Sequence, residues 1–294
     1  MNQSLVEANE WSIIESKYSP ETVVSAESLF SLGNGAMGQR ANFEENYSKD
    51  TFQGSYIAGV YYPDKTKVGW WKNGYPEYFA KVLNAVNFIG IHVRINGEVL
   101  DLAKATTVSR FHRELDMQQG LLRRTFTATL ANGMSVSVEA ERFLSIVDDE
   151  VAAISYTVTA EDAAKVEVAP YLDFNVVNSD ANWEETFWAQ QGHASSAGQG
   201  HVHAKTKKLD FHVAAAMQTV VLAGGQALSG TASSREGYVE SLYSASLQAG
   251  QSIQVLKYVG VVNSLNAAPE AVVARAEEQA QQAATKGYEI LRNA

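Results

Sequence analysis

The sequence predicts an all-β protein, a large two-sheet antiparallel sandwich followed by a C-terminal helix, and three observations carry that prediction. Short runs of alternating apolar and polar residues recur from residue 87 to residue 262. Asn-Gly dipeptides punctuate them at 96–97 and 132–133, and helical periodicity is confined to the segment after residue 266.

The first run, 88–95, ends at Asn96-Gly97, a pair suited to the positive φ angles of a tight hairpin, and 98–102 is its return strand. Further runs lie at 125–130, 135–144, 151–158, 166–177, 201–205, 211–222, 238–247 and 252–262. No linker rich in Pro, Gly or Ser divides them, so residues 1–266 form one sandwich domain rather than two. Ala267-Ala268-Pro269-Glu270 then opens a helix with proline in its first turn, and Val272, Val273, Ala276, Ala280, Ala283, Ala284, Tyr288 and Leu291 recur at helical spacing. A stripe so narrow and alanine-rich cannot be buried by the helix itself. It packs back on the sandwich or leads on to further structure.

Composition narrows the function classes. The 294 residues are 46% hydrophobic and 19% charged, as in globular proteins, and the net charge of -10, spread without long blocks, argues against a nucleic-acid partner. The absence of cysteine excludes disulfides, thiolate nucleophiles and zinc-thiolate sites, and favours a reducing compartment. The first ten residues lack the features of a secretory signal, and no apolar run reaches the roughly 18 to 20 residues that span a bilayer. A cytoplasmic protein without membrane contact is the expectation.

Gly33, Gly35 and Gly38 reproduce the G-x-G-x-x-G spacing of dinucleotide sites. The residues after Gly38 present no helical apolar face, so the backbone N–H cradle at a helix start is missing, and Gly33-Asn34-Gly35 reads as a turn. No cofactor is expected. Carboxylates cluster at Glu44-Glu45, Asp148-Asp149-Glu150 and Glu184-Glu185, but neighbours on an extended chain point to opposite sides, so all three clusters read as solvated surface. No catalytic residue is assigned. His201 and His203 share a strand face without a further evident ligand and read as an exposed polar face, not a metal site. Ser28 and Ser31 lack the G-x-S-x-G elbow of a serine nucleophile.

The window from Phe52 to Phe79 is the least ordinary. It holds Phe52, Tyr56, Tyr61, Tyr62, Trp70, Trp71, Tyr75, Tyr78 and Phe79, with Lys65, Lys67, Lys72 and Asn73 among them and Asn84 just beyond. Aromatic faces with polar neighbours suit either a sugar ring or a protein interface.

Residues 27–45, from Glu27-Ser28-Leu29 to Phe43-Glu44-Glu45, together with 55–62, 64–84, Arg113 to Met117, Arg123-Arg124 and 141–145, resemble the N-terminal region of glycoside hydrolase family 65. Two positions depart from the family pattern, Ala36 where an aromatic is usual and Ala41 where glycine is usual. The resemblance implies an N-terminal β-super-sandwich over 1–266 and, over 267–294, the start of a helical linker to an (α/α)6 barrel. That barrel would carry the general acid and the phosphate site for inverting phosphorolysis of an α-linked disaccharide, maltose foremost, without metal or cofactor and in a homodimer. On that frame Gly33, Asn34, Gly35, Arg40, Asn42, Glu44, Trp70, Trp71, Lys72, Asn73 and Tyr78 are the candidates for the face that meets the barrel near the substrate entrance, or the neighbouring subunit. Two other readings stand beside it. One is a self-sufficient sugar-binding module using the aromatic window; the other is an epimerase of the mutarotase type using His112 and Glu114.

Overall fold

Alternation along the chain becomes two stacked sheets in the computed structural model, which describes residues 6–66, 74–179 and 185–294. Among the described residues the larger sheet has 11 strands and is antiparallel throughout. Its order is Glu7–Ala8, Ser12–Glu15, Thr107–Asp116, Leu121–Thr129, Ser135–Leu144, Val151–Ala160, Ser252–Asn263, His212–Ala223, Gln199–Thr206 and Trp188–Ser196, with Gln226–Ala227 paired to His212–Ala223. The smaller sheet has five strands in the order Thr231–Arg235, Tyr238–Leu247, Ala164–Asp173, Ile91–Ile95 and Glu98–Val99. Val138, Tyr156, Val202, Val255 and Val259 from the first sheet and Ile91, Val93, Val166, Leu172 and Val239 from the second are buried in one core. Period two puts these residues on the inner faces and their neighbours outside.

The predicted hairpin is present. Asn96 and Gly97 both take positive φ, 51° and 85°, between the paired strands Ile91–Ile95 and Glu98–Val99. Strands Ser135–Leu144 and Tyr238–Leu247 fall where the alternation places them. Among the elements not anticipated are the strand Thr107–Asp116, the strand Trp188–Ser196 and a short helix α1, Val23–Leu29. The first two carry many polar residues, and a bulge at Arg110 (φ 51°) interrupts the periodicity of Thr107–Asp116.

The C-terminal helix differs from expectation in its bounds. It begins at Val272 rather than 267 and is broken at Gly287 (φ 85°), giving α2 (Val272–Lys286) and α3 (Tyr288–Arg292). The stripe does pack back: Val272, Ala276 and Ala280 bury against Ala214, Ala216 and Val262 on the outer face of the large sheet. Ala283, Tyr288 and Leu291 continue onto Leu121, Phe143, Val151 and Tyr258. Contact is close enough that a Cβ on Gly260 would stand 2.3 Å from the Ala276 carbonyl oxygen.

Two small sheets flank the sandwich. Leu32–Gly33, Met37–Gln39 and Ser55–Ile57 form one, and Tyr61–Lys65 with Tyr78–Val82 forms the other. The Gly33-Asn34-Gly35 segment is therefore the tip of a hairpin, with Gly35 at φ 91° and no helix after Gly38, as the turn reading requires.

Candidate functional site

Arg40, Asn42 and Glu44 sit on a loop whose shape is set from beneath by three arginines. On the inner face of the large sheet Arg113, Arg124 and Arg142 alternate with Phe111, Phe126 and Ala140, and all three guanidiniums are buried. Desolvating a cation is costly unless partners supply charge and hydrogen bonds. Glu15, Glu44 and Glu45 do so. Arg113 reaches Glu15 Oε2 at 2.5 and 2.9 Å; Arg124 reaches both oxygens of Glu45 and one of Glu44, each at 2.6 Å. Arg142 pairs with Glu44 Oε1 and donates to the carbonyls of Asn42 (2.9 Å) and Arg40 (3.1 Å). Tyr156 donates its hydroxyl to Glu45 at 3.1 Å, and Phe43 lies under two of the guanidiniums, 4.5 Å from Arg124 and 5.5 Å from Arg113.

This corrects the expectation for Glu44-Glu45. Both are buried rather than solvated, and the chain bends there, so adjacent carboxylates do converge on one guanidinium. Burial alone would raise the Glu44 carboxyl; the guanidiniums of Arg142 and Arg124 outweigh it and hold its pKa below the usual range. Burial, with the Glu45 charge beside it, drives the Tyr156 phenol well above its ordinary value. Glu150 is corrected in the same way, being buried against Arg275 at 2.9 Å; Asp149 is exposed, and Glu185 is exposed with one oxygen 3.2 Å from the Tyr62 hydroxyl.

One arginine thus gathers three of the candidates, Arg40, Asn42 and Glu44. Arg40 and Asn42 meet again at the Phe52 carbonyl, which accepts from Arg40 Nε (2.8 Å) and Asn42 Nδ2 (3.1 Å). Asn34 shapes the hairpin tip by accepting from the backbone of Ala36 and Met37, and ties it to the large sheet by donating to the carbonyls of Ser145 (2.7 Å) and Asp149 (2.9 Å). Tyr78 stands apart, half exposed at the end of its hairpin opposite Lys65. Trp70, Trp71, Lys72 and Asn73 lie outside the described residues, as does Glu184.

Above this base is a cavity of about 230 Å³ lined by Arg40, Phe52, Gln53, Tyr56, Asn84 and Asn178, with Val82 and Ser179 at its edge. Asn84 organises it, accepting from the Ser55 backbone and donating to Gln53 Oε1 (2.8 Å) and the Val177 carbonyl (3.0 Å). Beside the cavity an apolar groove of about 420 Å³ runs along Met37, Tyr56, Ile57, Val60, Tyr61 and Val82. Phe52, Tyr61 and Val82 are exposed along these two features, and Tyr78 and Phe79 are exposed on the strand that carries Val82. Sequence reasoning missed the arginine triplet, whose signal was a charged residue at an inward position of three successive strands. The mutarotase-type pair His112 and Glu114 is an open surface contact at 3.7 Å. His201 is likewise engaged, with Glu277 of α2 at 2.7 Å, and His203 with His212 at 2.9 Å, so neither histidine is simply a solvated face.

The family model for the N-terminal domain of glycosyl hydrolase family 65 matches residues 13–294. The chain belongs to that family. Maltose phosphorylase of Bacillus subtilis (strain 168) is 40% identical over 294 residues, covering 98% of this chain and 38% of that protein. Alpha,alpha-trehalose phosphorylase of Thermoanaerobacter brockii is 27% identical over 96% of this chain and 38% of its own length. A solved structure from the human microbiome, provisionally described as a kojibiose phosphorylase, superimposes with a TM-score of 0.86 at 23% identity, over 98% of this chain and 37% of that one, and shows a shared fold. The family 65 chain therefore spans less than half the length of these relatives.

Proposed function

We propose that this chain is the non-catalytic N-terminal domain of a disaccharide phosphorylase that converts maltose and phosphate to β-glucose 1-phosphate and glucose. The observation that carries the reading is the 40% identity to maltose phosphorylase over 98% of the chain. Its carboxylates support it. Every buried one among the described residues is committed to an internal donor: Glu15 to Arg113, Glu27 to Thr51 and the Phe52 amide, Glu44 and Glu45 to Arg124, Asp64 to Lys81, Asp101 to backbone amides, Glu150 to Arg275. Glycoside cleavage needs a carboxylic acid free to protonate the leaving oxygen.

In this reading residues 1–266 are the sandwich and 267–294 begin the linker to the catalytic barrel. The exposed rim of Phe52, Tyr61, Tyr78, Phe79 and Val82 is the surface that shapes the substrate entrance or meets the second subunit of a dimer. Absence of cysteine supports a cytoplasmic setting. A chimera tests the assignment: this chain replaces the corresponding segment of the Bacillus subtilis maltose phosphorylase. Retained maltose-dependent phosphorolysis is the expected result. A folded chimera that has lost it contradicts the assignment.

A further inference from the structure

We propose that the outer face of the five-stranded sheet holds a second ligand site, a cleft built around His92 that takes a small uncharged polyhydroxylated molecule, a monosaccharide. Strands Ile91–Ile95, Ala164–Asp173 and Tyr238–Leu247 lie side by side there, with Arg94 opposite Glu167 and His92 opposite Ala169. Val93, Val166 and Val239 point into the core, so the alternate residues face outward. They border a cleft of about 380 Å³, whose polar lining is Asn46, His92, Arg94, Glu167 and Glu240.

The His92 ring is fixed by one hydrogen bond and one ring stack. Its Nδ1 lies 2.7 Å from Asn46 Oδ1; an amide oxygen only accepts, so Nδ1 carries the proton and Nε2 keeps its lone pair. Nε2 has no hydrogen-bond partner among the described residues. The ring stacks on Tyr171 at 4.3 Å, Tyr171 stacks on Tyr238 at 5.4 Å, and the Arg235 guanidinium covers Tyr238 at 3.6 Å. Tyr238 and Ser233 donate to the two oxygens of Glu240, at 2.7 and 2.9 Å, which fixes that carboxylate as well. Burial lowers the His92 pKa, so the ring stays neutral and accepting near pH 7.

The lining selects its ligand. Its acceptors are Nε2 and two carboxylates, and its donors are the guanidinium of Arg94 and the side-chain amide nitrogen of Asn46. A ligand must therefore bring several donors, as sugar hydroxyls do, while Arg94 returns a hydrogen bond to a ring or hydroxyl oxygen. Val99 and Leu242 give apolar surface to the C–H side of the ring. Two carboxylates against one guanidinium disfavour phosphate esters. The choice of a sugar rests on the family 65 reading, but the cleft lies on other strands than the candidate residues of the preceding site.

The test is nuclear magnetic resonance of the imidazole nitrogens during titration of the chain with D-glucose, and separately with glucose 1-phosphate. Saturable movement of the His92 Nε2 signal by glucose and none by the phosphate ester is expected. His92→Phe keeps the stack on Tyr171 and loses Nε2; binding followed by ligand-observed resonance should weaken about tenfold, the worth of one good hydrogen bond. Glu240→Gln should weaken it similarly, and Glu139→Gln, exposed on the large sheet away from the cleft, should leave it unchanged. No saturable shift of His92, or unchanged affinity in His92→Phe, overturns the proposal. Neither outcome depends on phosphorolysis, so failure here and failure of the chimera are separable.

Discussion

Arg124 grips Glu45 through two parallel hydrogen bonds of 2.6 Å, one from each terminal nitrogen, on the inner face of the large sheet. The same guanidinium takes an oxygen of Glu44, so one side chain from the sheet fixes a bend almost 80 residues earlier in the chain. The candidate loop is built on that anchorage.

Arg124→Met should be severely destabilising. It leaves Glu45 buried with only Tyr156 and takes one partner from Glu44; loss of one member of a buried pair costs about 3–5 kcal/mol. Urea unfolding should show a lower midpoint with little change in slope, and Arg124→Met with Glu45→Leu should recover part of the loss. A surface ion pair such as Lys165–Glu167 gives the comparison, with less than about 1 kcal/mol expected from Lys165→Ala.

Gly260→Ala should loosen α2 from the sheet, because the new Cβ would meet the Ala276 carbonyl oxygen at 2.3 Å and Gln279 Cβ at 2.8 Å. Backbone cannot yield as a flexible side chain can. Amide exchange should rise across Val272–Lys286 and stay unchanged in the inner strand Val151–Ala160.

How far these relationships were legible differs by element. Ser135–Leu144 and Tyr238–Leu247 could be read because one sheet face is buried and the other wet, which writes period two into the sequence. Trp188–Ser196 could not: its residues are largely half-buried or exposed, so no apolar alternation is required. Glu44 and Glu45 were misread because residue type predicts exposure, whereas the arginines that overrule it lie 79 to 98 residues away. Arg40, Asn42 and Asn34 were named as candidates through family resemblance; their roles as loop anchors were not legible, because these rest on the Phe52, Ser145 and Asp149 carbonyls.

Lys257 gives a pH prediction on the alkaline side. Its ammonium reaches across the core from the large sheet to the carbonyls of Gly90 (3.0 Å) and Tyr171 (2.6 Å), and burial lowers its pKa well below the ordinary lysine value. Between that lowered value and about 10.4 the unfolded chain binds the proton and the folded chain does not, so stability rises with pH in this interval. Relative to Lys257→Met, the wild-type chain should gain stability as pH rises toward 10 in thermal unfolding.

His203 gives the acid counterpart. Burial first, then the neighbouring His212 and His201, push its pKa down to about 4. From about 6.5 down to that value the unfolded chain takes up a proton that the folded chain refuses, so stability falls with falling pH through this window. His203→Gln should flatten that part of the stability profile.

The most direct measurement is phosphorolysis by the purified chain with maltose and phosphate, scored as β-glucose 1-phosphate beside the Bacillus subtilis maltose phosphorylase as the active control. A folded chain that forms no product is the predicted result, because the buried carboxylates among its described residues are already engaged and, in the proposed reading, the catalytic groups lie outside these 294 residues. Turnover by this chain alone would contradict the account and return the catalytic role to its own carboxylates.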